Sequence, residues 1–146
     1  MASVNGIPSD GPWFLAEGED TMIRARQDLL PRALSAGLEQ RVVVTWRCRN
    51  PLGNGLPSED DYREIKEAEA LMVSFLEEGA ILAFVVTRDG GVNMNFYTSD
   101  TDWFLERFNE ALDDKPPLPI ELSGEHDPDW EEYRAVLRSC GVGEAD

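Results

Sequence analysis

Hydrophobic and polar positions follow two periods that succeed one another along the chain. Four segments have the apolar alternation or the short apolar run of a β-strand: 41–49, 80–88, 92–98 and 118–122. Two segments repeat apolar residues every three or four positions, as amphipathic helices do: 58–78 and 101–114. The predicted order of these elements is therefore β-α-β-β-α-β.

Capping and turn residues stand where these elements begin and end. Ser58 offers an N-cap hydroxyl to the first helix, and Asp100 or Thr101 can cap the second. Asp89-Gly90 between two strand patterns predicts a tight hairpin, because glycine accepts the positive φ of such a turn. Pro116 ends the second helix. Pro119 favours a position at the sheet edge for the last strand, because proline has no N–H to donate.

This order predicts an α+β domain with a ferredoxin-like antiparallel sheet and both helices on one face. We expect right-handed crossovers to place strand 41–49 beside 92–98, and strand 80–88 beside 118–122. Residues 13–26 have the pattern of two short strands around a polar turn, so we expect an additional N-terminal hairpin.

A third helix is predicted near the C-terminus. Asp127 is a good N-cap, and Pro128 suits the first helical position because its missing N–H would be unpaired there. Trp130, Tyr133 and Leu137 then form one stripe. We expect Trp130 and Tyr133 to be buried against the sheet or the hairpin, which would make Asp127, Pro128, Trp130 and Tyr133 a structural motif.

The length of 146 residues suits one domain with a full hydrophobic core. We assign this domain to residues 13–141. Residues 1–12 contain several Gly and Pro residues and little to bury, so we expect a flexible lead-in. Residues 142–146 follow the expected helix stop at Gly141 and are expected to form a tail.

The charge balance disfavours several classes of partner. Lys and Arg number 13 and Asp and Glu number 29, a formal net charge of −16 that repels phosphate and anionic lipid. We therefore expect no membrane partner, and nucleic acid is disfavoured. Arginines cluster between Met22 and Arg49, so a local basic surface stays open as an alternative. On the predicted open sheet face Tyr97 is the single aromatic residue, too few to stack bases as RNA-recognition domains do.

Residue types suited to catalysis or metal binding occur singly. His126 is the only histidine, and no ligand-spaced cysteine pair accompanies it, so we expect no metal site and no cofactor. Cys48 is in phase with the apolar side of strand 41–49, where a cysteine is more often a small buried hydrophobe than a nucleophile. Cys48 and Cys140 are expected to be reduced. We predict no catalytic residue, and a cytoplasmic location because the chain has neither a signal-peptide pattern nor an apolar run that could span a membrane.

Helix 58–78 has an acidic outer side. The acids beyond its first turn are Glu64, Glu67, Glu69, Glu77 and Glu78. No histidine or cysteine stands among them, so they indicate a solvated face rather than a metal site. We take these five glutamates as the candidate interaction face for a basic protein partner.

Several motifs are similar to those of a known family. They are Leu56-Pro57-Ser58, Phe96-Tyr97-Thr98 and, above all, Asp127-Pro128-Asp129-Trp130 with Tyr133 and Leu137. With this order of elements, the chain resembles the bacterial family catalogued as domain of unknown function 695, from about Trp13 to Ser139. The resemblance implies no established activity and no catalytic residues. In some bacterial proteins such a domain is joined to one similar to the regulator of ribonuclease E activity B, a small acidic protein that acts by binding a partner.

Two hypotheses of function follow. The first is a non-catalytic interaction or regulatory module whose acidic surface contacts a basic protein. The second is a small-molecule-binding or enzymatic domain with a pocket between the N-terminal hairpin and the sheet. The charge and the scarcity of catalytic residue types favour the first.

Overall fold

The computed structural model of the protein describes residues 3–4, 7–8, 12–27, 29 and 36–141. The strands are β1 (Ser3–Val4), β2 (Ile7–Pro8), β3 (Trp13–Glu17), β4 (Thr21–Arg26), β5 (Gln40–Arg47), β6 (Ala80–Arg88), β7 (Gly91–Thr98) and β8 (Ile120–His126). The helices are α1 (Glu59–Leu76), α2 (Thr101–Leu112) and α3 (Glu131–Ser139). β1 and β2 pair with each other inside the predicted lead-in. The predicted tail, 142–146, lies outside the described residues.

β3 to β8 form one six-stranded antiparallel sheet in the order β3-β4-β6-β7-β5-β8. β5 and β7 are neighbours, as predicted. The prediction that strand 80–88 lies beside 118–122 is wrong, because β8 pairs with β5, and β6 pairs with β4 of the N-terminal hairpin. The hairpin thus fills the free edge of β6, and the chain returns from α2 to the far side of β5.

The turn between β6 and β7 has the geometry that its sequence predicts. Asp89 has φ 52° and Gly90 has φ 75°. A two-residue turn of type I′ needs positive φ at both central residues, and Asp-Gly is among the pairs that tolerate this best. β6 and β7 consequently pair along their length, with one irregularity between Leu82 and Phe84.

α1 and α2 pack on one face of the sheet, as predicted. Met72 of α1 and Phe104 of α2 are fully buried in one cluster with Val44, Trp46 and Met94 of the sheet. Both helices begin at the predicted caps, because the side chains of Ser58 and Asp100 accept hydrogen bonds from backbone N–H groups of their first turns. No helix within the described ranges is long and apolar enough to cross a membrane.

α3 covers one end of the opposite face of the sheet. Trp130 and Tyr133 join Phe84 and Tyr97 there in a second buried cluster. Tyr97, predicted as the aromatic residue of an open face, is therefore buried. The rest of this face carries mostly half-buried polar and β-branched residues, including Val43, Thr45 and Asn93.

Candidate functional site

Asp127 caps α3 across a turn that precedes the helix. The turn is closed by the N–H of Trp130, which donates to the Asp127 carbonyl at 3.1 Å. The Asp127 carboxylate accepts from the backbone N–H groups of Glu131 at 2.9 Å and Glu132 at 3.2 Å. The prediction that Asp127 is the N-cap residue and Pro128 the first helical residue is therefore wrong: Trp130 is the N-cap residue, Pro128 lies in the turn, and α3 begins at Glu131.

Trp130 and Tyr133 are fully buried, which confirms the prediction made for them. The Trp130 ring stacks on Tyr97 with 3.8 Å between ring centroids, and its Nε1–H donates to the Leu38 carbonyl at 2.8 Å. The Tyr133 hydroxyl donates to the carbonyl of Arg26. These contacts of Trp130 and Tyr133 fasten α3 to β7, to the end of β4 and to the segment before β5.

Tyr97 forms the link between this motif and the sheet. Its hydroxyl donates to the Asp127 carboxylate at 2.8 Å in the buried cluster. Burial, then the hydrogen bond to Asp127 and the negative charge of that carboxylate, raise the pKa of Tyr97 far above its ordinary value of 10.0. The phenol is therefore held in its neutral, donating form.

We expect alkaline pH to weaken the fold through Tyr97. Its pKa is raised in the folded state, so above about pH 10 the unfolded state releases this proton first. The stability contributed by Tyr97 is thus complete below the unfolded pKa and falls as pH rises beyond it. Urea unfolding of wild type and Tyr97→Phe from about pH 8 to pH 11 checks this. Wild type should lose stability more steeply, and equal alkaline slopes would contradict the prediction.

The five glutamates of the predicted interaction face do not form one free surface. Ion pairs within the chain hold three of them: Glu64 with Arg49, Glu67 with Lys115, and Glu69 with Arg24. Glu77 also interacts within the protein, whereas Glu78 is exposed. Glu64 and Glu69 lie to either side of the buried face of α1. The five glutamates therefore do not share one face of the helix, and three of them are already ion-paired.

The arginines between Met22 and Arg49 do not form a free basic surface within the described residues. Four of them have carboxylate partners: Arg24 with Glu69, Arg41 with Glu125, Arg47 with Glu121, and Arg49 with Glu64. Arg26 is fully buried, and Arg32 lies outside the described residues. Arg24 and Arg49 thus link β4 and the segment after β5 to α1, and Arg41 and Arg47 link β5 to β8.

A more available row of acids lies on α2 and its C-cap residue, Asp113. Asp102, Glu106 and Asp113 are exposed, and none of them has an ion-pair partner among the described residues. With Asn109 they follow one another at three- and four-residue spacing, so they share one side of the helix. We call Asp102, Glu106 and Asp113 the α2 acidic row. The acids are evident in the sequence, but their lack of partners is not.

An apolar groove runs beside this row, between α2 and the edge strand β8. It consists of two adjoining clefts of about 390 and 530 Å³ that share Leu122. Its apolar lining includes Leu105, Phe108, Leu112, Leu118, Ile120 and Leu122. The side of the groove is open, because β8 is the last strand of the sheet here, and Leu105 and Leu122 remain 42% and 38% exposed.

A smaller cleft lies where the small-molecule hypothesis expects a pocket, between the β3–β4 hairpin, α1 and the sheet. Its volume is about 170 Å³, whereas ligand pockets usually hold roughly 300 to 1,000 Å³. The Arg24 and Glu69 side chains in it form an ion pair at 2.5 Å, and the Arg24 guanidinium lies 5.3 Å from the centroid of the Trp13 ring. Its polar groups thus bind each other.

His126 and Cys48 lie too far apart to act together. The His126 ring contacts Gln40 at the start of β5, at 2.9 Å, whereas Cys48 follows the end of that strand. At about 3.3 Å per residue the two sites are roughly 26 Å apart. Burial, and then the nearby Asp61 carboxylate, raise the pKa of the Cys48 thiol. Within the described ranges no group of His, Cys, Asp and Glu side chains could hold a metal ion.

The fold and its fastening motif define an α+β domain in which α3 is tied to one face of a six-stranded sheet. The chain belongs to the family of unknown function DUF695, which matches residues 15–138. That range begins in β3 and ends in α3, and it confirms the resemblance seen in the sequence. No curated protein and no solved structure matches the chain.

Proposed function

We propose that this protein is a non-catalytic interaction or regulatory module that binds a basic protein partner. The observation that carries the proposal is the α2 acidic row, which stands without ion-pair partners among the described residues beside an open apolar groove. A row of free carboxylates supplies charge recognition, and the groove supplies apolar area that a partner can bury. The two together have the composition of a polar rim beside an apolar interface core.

The net charge of −16 supports the same proposal at longer range. An electrostatic field of this sign steers a cationic partner toward the surface and repels membranes and nucleic acid. Salt screens such a field over about 8 to 10 Å at physiological ionic strength. Association with a basic partner is therefore expected to slow as the salt concentration rises.

The proposal extends to the fold and the location of the protein. We take the β5–α1–β6–β7–α2–β8 core to be ferredoxin-like; the support is the order β6-β7-β5-β8, in which β5 is antiparallel to both neighbours. A cytoplasmic location is supported by the free thiols Cys48 and Cys140.

The second candidate function is the binding of a small molecule, with or without catalysis. It is favoured only by the 170 Å³ cleft beside Trp13 and Arg24.

Reversal of the α2 acidic row to lysine is expected to weaken partner binding by about tenfold or more, mainly through slower association. A partner captured from lysate at low salt, identified and then purified, supplies the binding assay. The melting temperature should hardly change, because exposed single charges contribute only about 0 to 1 kcal/mol to stability.

The matched control reverses Glu64, Glu67 and Glu69, which changes the net charge by the same amount. This variant breaks three ion pairs, so it should lower stability more and binding less than the α2 variant. Equal losses of binding in the two variants would mean that the net charge of the protein drives association and that the position of the α2 acidic row does not matter. A metabolite or metal that raises the melting temperature, with no salt-sensitive protein partner, would require the small-molecule function instead.

A further inference from the structure

We infer that β8 is a docking edge, on which an extended segment of the partner adds a seventh strand to the sheet. The occupant is a segment in which apolar residues alternate with Lys or Arg. This inference rests on the proposed interaction function and identifies the partner's chemistry and its mode of binding. Strand addition at a sheet edge provides affinity through main-chain hydrogen bonds and specificity through alternate side chains.

The outward hydrogen-bonding groups of β8 follow from its pairing with β5. At the two ends of this pair the Arg47 N–H donates to the Pro119 carbonyl at 2.9 Å, and the Asp127 N–H donates to the Glu39 carbonyl at 2.7 Å. Hydrogen-bonded pairs alternate along an antiparallel ladder, so every second residue of β8 directs its N–H and carbonyl away from β5. Those residues are Ile120, Leu122, Gly124 and His126; the Ile120 N–H already donates to the Leu118 carbonyl at 2.8 Å, so the free outward N–H groups are those of the other three.

The same alternation sets the apolar side of the docking edge. Leu122 and Gly124 lie opposite Val44 and Val42 in the ladder, so they belong to the sheet face on which α2 packs, and both line the groove. Apolar side chains of an added strand on this face would cover Leu122 and reach Leu105. Gly124 has no side chain, so the groove has room there for an apolar side chain of the added strand.

The other side of the edge is acidic. Glu121 and Glu125 point to the opposite sheet face. They form ion pairs with Arg47 at 3.8 Å and with Arg41 at 2.5 Å, but their side chains remain 70% and 52% exposed, so each can also contact a basic group of an added strand. Lys or Arg at the intervening positions of an added strand would stand across from these carboxylates, at a distance where opposite charges stabilise strand pairing. The groove side adds the α2 acidic row. Both sides thus favour a segment with basic residues.

A second copy of the chain fits this edge poorly. The antiparallel register that pairs all of β8 with itself is centred on Ser123, and it places Glu121 of each copy opposite Glu125 of the other. Like charges directly opposite each other destabilise a strand pair. Each copy also carries a net charge of −16, so the two chains repel at long range.

The competing explanation is that Glu121 and Glu125 only guard an edge strand against aggregation. If these two acids only prevent aggregation, a peptide in which apolar and basic residues alternate should not bind. We would titrate the full chain with a fluorescein-labelled peptide of about nine residues, the length of a long strand, in which Val and Lys alternate strictly. The control peptide has the same composition with the Val and Lys residues in separate blocks.

The informative variant is Gly124→Pro, with Gly124→Ala as its matched control. Proline at this position removes an outward N–H and no bond to β5, and edge strands tolerate proline of this orientation. A Cβ at Gly124 would meet the Arg41 carbonyl oxygen at 3.5 Å, an ordinary contact, so Gly124→Ala should fold normally; it adds a methyl group to the groove but keeps the outward N–H, and it is therefore the reference for Gly124→Pro. We expect Gly124→Pro to weaken binding of the alternating peptide about tenfold, the equivalent of one lost hydrogen bond.

Hydrogen exchange gives a second readout, because the amides of Leu122, Gly124 and His126 should exchange more slowly with the alternating peptide bound. Leu122→Lys, which places a cation in the groove, replaces Gly124→Pro as the test if the proline variant does not fold. Equal affinity for both peptides, or unchanged affinity in the informative variant, overturns strand addition. The proposed function then still stands if reversal of the α2 acidic row weakens binding of the purified partner. If neither peptide binds and no basic partner binds, strand addition and the proposed function both fail.

Discussion

Trp130→Ala is expected to lower the free energy of unfolding by about 3 to 5 kcal/mol, a large share of the roughly 5 to 15 kcal/mol that holds a domain together. The indole is fully buried and stacks on Tyr97 at 3.8 Å between ring centroids. Its removal also leaves the Leu38 carbonyl without the Nε1–H that now donates to it at 2.8 Å. Urea or thermal unfolding of the purified variant measures the loss.

The backbone at Trp130 provides a sharper comparison. Its φ of 57° lies in the left-handed region, which costs a residue with a Cβ about 1 to 2 kcal/mol and glycine little. Trp130→Gly removes the same ring as Trp130→Ala but relieves this strain. The glycine variant should therefore be more stable than the alanine variant by about 1 kcal/mol, against the usual order of the two residues.

Trp130→Phe is the conservative control, because it keeps a ring on Tyr97 and loses only the Nε1–H and some area. Its stability should lie between those of wild type and Trp130→Ala. A loss of about 1 kcal/mol alone lowers the melting temperature of a domain of this size by several degrees. If the melting temperature of Trp130→Ala lies within about a degree or two of that of wild type, α3 is instead an exposed docking element.

The elements that the sequence predicted well are those with complete local signals. Ser58 and Asp100 start α1 and α2 because an N-cap needs only a side-chain oxygen and the backbone N–H groups of the next turn. The Asp89-Gly90 turn is equally local, because the two φ angles alone decide its type. Each of these signals lies within a few residues of the feature that it determines.

The position of β8 was beyond local signals. Two edges could have received β8, that of β6 and that of β5, and the N-terminal hairpin takes the first by pairing β4 with β6. The start of α3 was misplaced for a related reason. Asp127 was predicted to be the N-cap residue, but that position belongs to Trp130. The Asp127 carboxylate reaches the first N–H groups of the helix across a turn, so the first helical residue is Glu131 and not Pro128.

The sequence predicted that the surface is acidic, but it did not show which acids are free of ion pairs. Whether a glutamate is free depends on residues far along the chain: Glu69 meets Arg24, 45 positions away, and Glu67 meets Lys115, 48 positions away. Helical periodicity cannot reveal such pairs. The availability of the α2 acidic row likewise depends on the arrangement of the sheet, which leaves its groove open at β8.

Asp127→Ala is expected to destabilise the fold by about 2 to 5 kcal/mol, because one buried carboxylate serves three donors. It accepts from the Tyr97 hydroxyl at 2.8 Å and from the N–H groups of Glu131 and Glu132. Loss of a cap typically costs about 0.5 to 2 kcal/mol, and a buried hydroxyl without a partner costs about 1 to 3 kcal/mol more. Asp127→Asn retains the shape and one acceptor oxygen, so it should cost less.

A double-mutant cycle between Asp127 and Tyr97 separates the two contributions. Tyr97→Phe alone should cost about 0.5 to 1.5 kcal/mol, since it removes one hydrogen bond while Asp127 keeps the N–H groups of α3. In the Asp127→Ala background the hydroxyl has already lost its acceptor, so its removal should be neutral or stabilising, a coupling of about 1 to 3 kcal/mol. If Tyr97→Phe costs the same in both backgrounds, the hydroxyl has a different acceptor in solution, and the tie between β7 and α3 depends on the stacking of Trp130 alone.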